Sequence, residues 1–330
     1  MQNSKKLLQS GFATGVLLAF ISAQNASAAQ TSGVTFDISA GAELWNGDTT
    51  YQIGGMVTYP DGTSQKIHTP LSELEWPMDM WMVGIDLGLH LGDRFTINGS
   101  IKKNASDPDD PMIDSDWGVW YLSRDPGTSP GDLDVYSESD ITSFDAMIYD
   151  INAEWIIAKP GPTSFSIGIG LQEQTFEYEA ALNYQTTYYL GVPRSSIIGD
   201  GRTAITYDIT YTMAYFLVGM DLKMGPHTQL ETQFAYAPLT DGDDEDNHRL
   251  RENGGKLSKG DMDGNAYMFE VSIRHNFTPS IFLEGGAHYT SIDVDGTQKQ
   301  KYVNGMSIGT IEEKSESSQL SEFIRFGVAL

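Results

Sequence analysis

The sequence has no cysteine, so no disulfide holds any part of it together. It is also short of basic residues: 20 Lys and Arg stand against 45 Asp and Glu, a net charge of −25. That balance excludes nucleic acid as a natural partner. It favours cationic ligands or substrates, which it would steer at long range. After residue 30 no apolar run approaches the roughly 20 residues that a transmembrane helix needs. No serine sits in the G-x-S-x-G setting of a hydrolase nucleophile.

The N-terminus does carry a targeting pattern. Lys5 and Lys6 precede a short apolar stretch around Gly15–Ile21, and Ala26-Ser27-Ala28 follows. A basic start, a short apolar core and an Ala-x-Ala end are those of an export signal cut after Ala28. No Cys follows, so it is not a lipoprotein signal. Residues 29–330 would then form the mature chain, with 18 basic against 45 acidic residues, or −27. With 34 glycines and 11% aromatics, an exported chain of this kind reads as an outer-membrane β-barrel or a secreted all-β protein.

Alternation decides between them. Phe165, Ile167, Ile169 and Leu171 share one face of their segment, while Ser166, Gly168 and Gly170 share the other. Residues 147–155 and 81–90 behave likewise, with Gly84, Asp86, Gly88 and His90 on the polar face of the latter. Period two means strand. Apolar outside and polar inside is the membrane-barrel version, because lipid lies on one side and a wet lumen on the other. Four tight turns stand out at Leu91–Arg94, Lys159–Pro162, Met224–His227 and Asn276–Pro279. They join eight strands, and one more at each end gives ten. Five longer polar segments, about 58–70, 103–140, 184–203, 240–264 and 296–318, alternate with the short turns. The fold class expected is an all-β, ten-stranded antiparallel transmembrane barrel, its long loops extracellular and its short turns periplasmic. A soluble sandwich explains this asymmetry less well. No internal repeat or second domain is visible.

Two acidic segments fall in the long loops. Asp241 to His248 packs five carboxylates and one imidazole into eight residues, in a chain with six histidines. A carboxylate beside a His raises its basicity and orients its ring. Asp107 to Trp117 holds the second cluster. Strands three and seven of a ten-strand ring lie opposite one another, so these segments should face each other across the barrel mouth. Asp114 and Asp116 are two apart, as are Asp246 and His248, so each pair projects to one face of an extended segment. Two such pairs can hold a water between a His and a carboxylate, a general-base arrangement without a covalent nucleophile.

Met112-Ile113-Asp114-Ser115-Asp116-Trp117 and Asp244-Glu245-Asp246-Asn247-His248 resemble the two active-site segments of the omptins, outer-membrane aspartate–histidine proteases. In that family the segments read M-x-D-x-D-W and D-x-D-x-H, in the same order and the same two loops. The resemblance implies that Asp246 and His248 form the catalytic dyad and that Asp114 and Asp116 form the opposite couple. It implies substrate-binding roles for Asp244 and Asp48 as acidic pocket residues and for Met112 and Ile205 as apolar lining. It further implies peptide or protein substrates with Arg or Lys beside the cut, an outer-membrane lipid surround, a monomer and an active site facing the exterior. The physics agrees, since an acidic cleft attracts Arg and Lys, and Arg can bind two carboxylates at once. No cofactor or metal is expected. Omptins hold lipopolysaccharide phosphates with outward basic residues. The matching positions here are Thr175 and Thr210, with only Glu173 kept, so lipopolysaccharide dependence is not carried over.

Other readings compete. Residues 241–246, 261–264 and 293–296 look calcium-friendly, yet none has the twelve-residue spacing ending in a bidentate Glu. Asx turns explain them as well. Zinc would have one His and no Cys at the cluster. His90 and His288 fall on inward faces, as lumen hydrogen-bonders. Trp120, Tyr121, Tyr188 and Tyr189 belong either to an interfacial girdle or to the loops. The alternative to a protease is a non-catalytic barrel, an adhesin or small porin-like protein with acidic surface loops.

Overall fold

The computed structural model describes residues 33–330; the expected export signal falls within residues 1–32, outside the described residues. Fourteen strands form one antiparallel sheet. They are β1 (Val34–Thr58), β2 (Ser64–Lys66), β3 (Ser72–Pro77), β4 (Met80–Leu91), β5 (Phe95–Asn104), β6 (Met112–Trp117), β7 (Leu133–Ala158), β8 (Thr163–Tyr189), β9 (Val192–Ile198), β10 (Thr203–Lys223), β11 (Thr228–His248), β12 (Lys256–Thr278), β13 (Ile281–Tyr302) and β14 (Ser307–Ala329). A four-residue helix, α1 (Val119–Leu122), precedes β7, and a 3-10 turn spans Glu252–Gly254.

Ten strands close the ring. From β1 it runs through β4, β5, β7, β8, β10, β11, β12, β13 and β14, and β14 pairs back onto β1 from Asp37↔Ala329 to Thr58↔Thr310. Near the mouth, β3 and β6 replace β4 and β5 between β1 and β7, so these two ring positions are each built from two strand pieces. The four short turns fall where the alternation places them. The amide of Phe36 donates to the carbonyl of Leu330, so both ends of the described chain meet at the same rim as those turns.

The outward faces carry the apolar belt. Ile169 is 61% and Phe216 is 62% exposed, and Trp155, Ile167, Ile273 and Ile324 share that belt. A water-soluble surface would not carry such a continuous band; lipid accommodates it. Aromatic residues edge it, with Trp81, Tyr149, Tyr236, Tyr267 and Tyr289 towards the mouth. Trp120 and Tyr188 lie elsewhere: the Trp120 indole N–H donates to the Tyr188 carbonyl in the outermost loops, and Tyr189 packs edge-on against Trp120.

One expectation is corrected. The segments 184–203, 240–264 and 296–318 are mostly strand rather than loop, and the turns between β11 and β12 and between β13 and β14 shrink to 249–255 and 303–306. About 9–11 residues of tilted strand cross a bilayer, so strands of 21–27 residues carry the barrel far above it. There both faces meet water or polar neighbours. Inward Glu313, Ser315, Ser317, Gln319 and Ser321 are all buried, yet alternate with exposed polar residues. Such strands leave no hydrophobic period to read.

The interior is filled, not open. On β10 the inward side chains run Ile205, Tyr207, Ile209, Tyr211, Met213, Tyr215 and Leu217, all nearly fully buried. Trp76, Met78, Met80, Met82, Phe176 and Tyr178 pack with them into one cluster. Below this plug lies a polar cavity of about 680 Å³, lined by charged residues of the lower barrel. Above it lies the acidic mouth.

Candidate active site

Strand alternation builds the first half of the site. On β11, Asp244, Asp246 and His248 point inward and are buried, whereas Asp241 and Asp243 are exposed and Glu245 is turned outward towards Lys259. In register, Asp246 lies opposite Tyr207 and Ser258, and His248 lies opposite Ile205 and Lys256. Nε2 of His248 is 3.0 Å from Oδ2 of Asp246, and Nζ of Lys256 is 4.0 Å from the same oxygen. Ile205, 4% exposed, is the cross-strand partner of His248.

The second half comes from β6. Asp114 pairs with Leu74 and Ser137, and Asp116 with Ser72 and Val135. Asp114 is buried, as is Met112. The two halves meet across the mouth: Arg251, just beyond His248, reaches Asp116 with a nitrogen–oxygen separation of 3.9 Å. Asp114 also feels the charges of Asp246, Arg251 and Lys256. Strands three and seven of the ring therefore face each other here.

All of these groups lie beyond the apolar belt. Burial, and then the neighbouring Asp116, push the Asp114 carboxyl well above the usual range. Burial also works against the charge of Asp246. His248, Lys256 and Arg251 outweigh it and hold Asp246 below the usual carboxylate range. Burial, together with Lys256 and Arg251, outweighs Asp246 and holds the His248 imidazole below its usual range. The site thus sets an imidazole beside one carboxylate and a second carboxyl pair opposite.

Asp244 sits one inward step below Asp246. Oδ1 accepts the amide N–H of Gly260 at 2.9 Å. Asp48 is not brought there. On β1 the inward positions are Thr49, Tyr51 and Ile53, so alternation turns Asp48 to the exposed outer face. The acid that does join Asp244 is Glu313 of β14, 3% exposed, which no sequence motif singled out. Its Oε1 accepts from Gln298 Nε2 at 2.7 Å, and that amide also donates to the Tyr51 hydroxyl at 2.6 Å. Only its place as the one acid among inward Ser and Gln residues of β14 could have drawn attention to it.

His90 contacts Asp37 at 3.4 Å and Thr96 at 3.1 Å, and His288 contacts Glu270 at 3.3 Å and Thr290 at 2.8 Å, all within the barrel. Neither approaches the mouth.

Known proteins match this architecture. The omptin family model matches residues 36–328, nearly the whole described chain. The crystal structure of the outer membrane protease OmpT from Escherichia coli superposes with a TM-score of 0.73 at 16% identity, covering 91% of this chain and 98% of that one. OprG from Pseudomonas aeruginosa and the toluene transporter TodX from Pseudomonas putida align with TM-scores of only 0.34 and 0.32, at 8% and 9% identity; they cover 91% and 90% of this chain and 96% and 89% of their own. No curated protein sequence matches. A family model spanning the barrel, with the fold of an outer-membrane protease, places this protein: the chain belongs to the omptin family of outer-membrane proteases.

Proposed function

We propose that the protein is an endopeptidase that cuts peptides beside basic residues, using a water activated by the Asp246–His248 dyad opposite Asp114 and Asp116. The observation that carries this reading is the meeting of the two acidic segments across the mouth, tied by the Arg251–Asp116 contact beside a buried dyad. With Nε2 held by Asp246, Nδ1 of His248 is the nitrogen left to take a proton from water. The resulting hydroxide attacks the scissile carbonyl carbon. Asp114, buried and with its carboxyl raised above the usual range, donates a hydrogen bond from its protonated form to the oxygen on which charge develops. The imidazolium, stabilised by Asp246, then protonates the leaving amine.

Asp244 supports a preference for Arg or Lys, and Met112 and Ile205 support apolar walls for the same groove. The filled barrel argues against a porin-like role, since the plug of aromatic and Met side chains separates the mouth from the lower cavity. Ring closure within one chain supports a monomer in outer-membrane lipid. The Thr175 and Thr210 hydroxyls contact each other at 3.1 Å on the outer face, where neither is a cation; this supports activity without lipopolysaccharide as a cofactor. The test is cleavage of a fluorogenic dibasic peptide by the purified protein, with His248→Ala and Asp114→Ala beside it. The expected result is turnover by the wild type and a rate lower by on the order of 10²-fold or more in either variant. Equal rates for all three overturn the reading.

A further inference from the structure

We propose that the cavity of the lower barrel is a periplasm-facing binding site for a linear polyamine, whose spaced ammonium groups meet four inward acids that have no ion-pair partner among the described residues. The site lies on the far side of the plug from the mouth, so it stands apart from the protease reading.

The cavity, at about 680 Å³, falls in the size range of small-molecule sites. Its ceiling is the underside of the plug, where Trp45, Ile148 and Tyr215 line it. Its lower edge reaches Lys159, Gly161 and Thr163 at the short turn between β7 and β8. That rim is the periplasmic one. Small inward residues make the room: a Cβ at Gly219 would lie 2.4 Å from Ser166 Oγ and 3.6 Å from Glu154 Oε2.

The two walls differ. On one, Lys102 of β5 and Arg325 of β14 meet Glu43, and Arg274 of β12 meets Asp37. On the other, Asp150 and Glu154 of β7, Asp221 of β10 and Glu231 of β11 line the cavity. Neutral donors serve three of these acids. The Tyr215 hydroxyl is 2.9 Å and Gln172 Nε2 3.1 Å from Asp150; Asn98 Nδ2 is 2.9 Å and Ser166 Oγ 3.0 Å from Glu154; Ser164 Oγ is 2.9 Å from Asp221. Glu231 has no hydrogen-bond or ion-pair partner among the described residues. It points into the cavity, and protein encloses the rest of it. A charge enclosed in this way is costly until a counter-charge completes it. Lys159 and Lys223 stand at the opening, but Lys159 contacts Asp93 at 3.6 Å and Lys223, exposed, pairs with none of the four.

The spacing of the acids names the ligand class. Asp221 lies directly opposite Glu231, so their Cβ atoms are about 5 Å apart. Glu154 is within electrostatic reach of Asp221. Asp150 is four residues from Glu154, about 13 Å along β7. A metal ion needs its oxygens converged at about 2.3–2.6 Å, and among the described residues no three acids or histidines are so placed. Three acids near the rim and one higher up instead fit cations held apart by methylene chains. An ammonium has three donors and no acceptor, so one such group can bond Asp221 and Glu231 together while another reaches up to Asp150.

The experiment titrates the full protein in detergent micelles with spermidine, a linear triamine, by calorimetry at low ionic strength. The expected result is a saturable binding event. Glu231→Gln and Asp221→Asn keep the side-chain size and remove the charge, and each should weaken that event by about tenfold or more. Asp244→Asn, at the mouth, should leave its affinity within about twofold. Thermal unfolding checks that each variant is folded, and spermidine should raise the midpoint of the wild type but not of Glu231→Gln. No saturable binding, or wild-type affinity in both cavity variants, overturns the proposal. So does loss of binding in Asp244→Asn alone, which would put the triamine at the mouth. Displacement of spermidine by an equal concentration of magnesium would also overturn it, since a site built for spaced ammonium groups prefers the triamine.

Discussion

The lower barrel and the mouth are both rich in inward carboxylates; the lower barrel gathers several of its own around shared cations, although Asp150, Glu154, Asp221 and Glu231 have no ion-pair partner among the described residues. There Lys102 lies 2.8 Å from Glu43, and Arg325 contacts Glu43 at 3.3 Å, Asp86 at 3.4 Å and Glu284 at 3.6 Å. Arg274 contacts Asp37 at 2.7 Å. At the mouth Asp114, Asp244 and Glu313 each keep an oxygen without a hydrogen-bond partner, and the two cations present touch only Asp116 and Asp246. A buried acid whose charge is met by a fixed cation serves the fold; one left uncompensated costs stability and marks where a ligand or reacting group completes it.

The comparison breaks most visibly at the dyad. His248→Ala should lower kcat/KM for a dibasic peptide by on the order of 10²–10⁴-fold, with the thermal unfolding midpoint little changed. A variant retaining wild-type turnover would remove the mouth from the mechanism. The opposite signature is expected below. Arg325→Met leaves Glu43, Asp86 and Glu284 without their shared cation and should cost about 3–5 kcal/mol in unfolding experiments. Peptide preference in whatever fraction folds should stay the same.

A subtler test concerns the cation nearest the dyad. The acid limb of the kcat/KM profile should follow His248, which must be neutral to act; since burial above all holds it below the ordinary imidazole range, that limb lies below about pH 6.5. Lys256 also lowers it, so Lys256→Met should raise it and move the limb to higher pH, with activity lost first at the acidic end. A limb that stays in place would show that Lys256 has no electrostatic hold on the base. The smallest effect is expected on the outer face. Added lipopolysaccharide should change the rate of the detergent-solubilised enzyme less than about twofold, because Thr175 and Thr210 offer its phosphates no cation to pair with. A large activation would require phosphate contacts elsewhere.

Much of the lower architecture was legible because lipid imposes it. Phe165 to Leu171 must alternate when one face meets hydrocarbon and the other a polar lumen, and the four short turns follow from the ends of such strands. The site was legible in its motifs, Asp114-Ser115-Asp116 and Asp246-Asn247-His248, since two-residue spacing alone fixes a common face. The upper strands were not, because Asp241–His248 and Ser307–Gln319 are polar on both sides and read like loops. Asp48 shows the cost of judging by chemistry without phase: it is the right residue type one position out of register, and alternation turns it away.

The sequence by itself determined a ten-stranded barrel with short turns on one rim, and which acids share a strand face with His248. Local periodicity carries that information, and it depends only on neighbours along the chain. Tertiary structure alone decided which acid meets which. Glu313 reaches Asp244 from another strand because ring closure and a missing side chain at Gly260 bring them together. Arg325 rather than Arg251 became a structural cation because the barrel wall encloses it. Pairing across a closed sheet is a long-range property, and its electrostatic consequences depend on burial that no window of sequence contains.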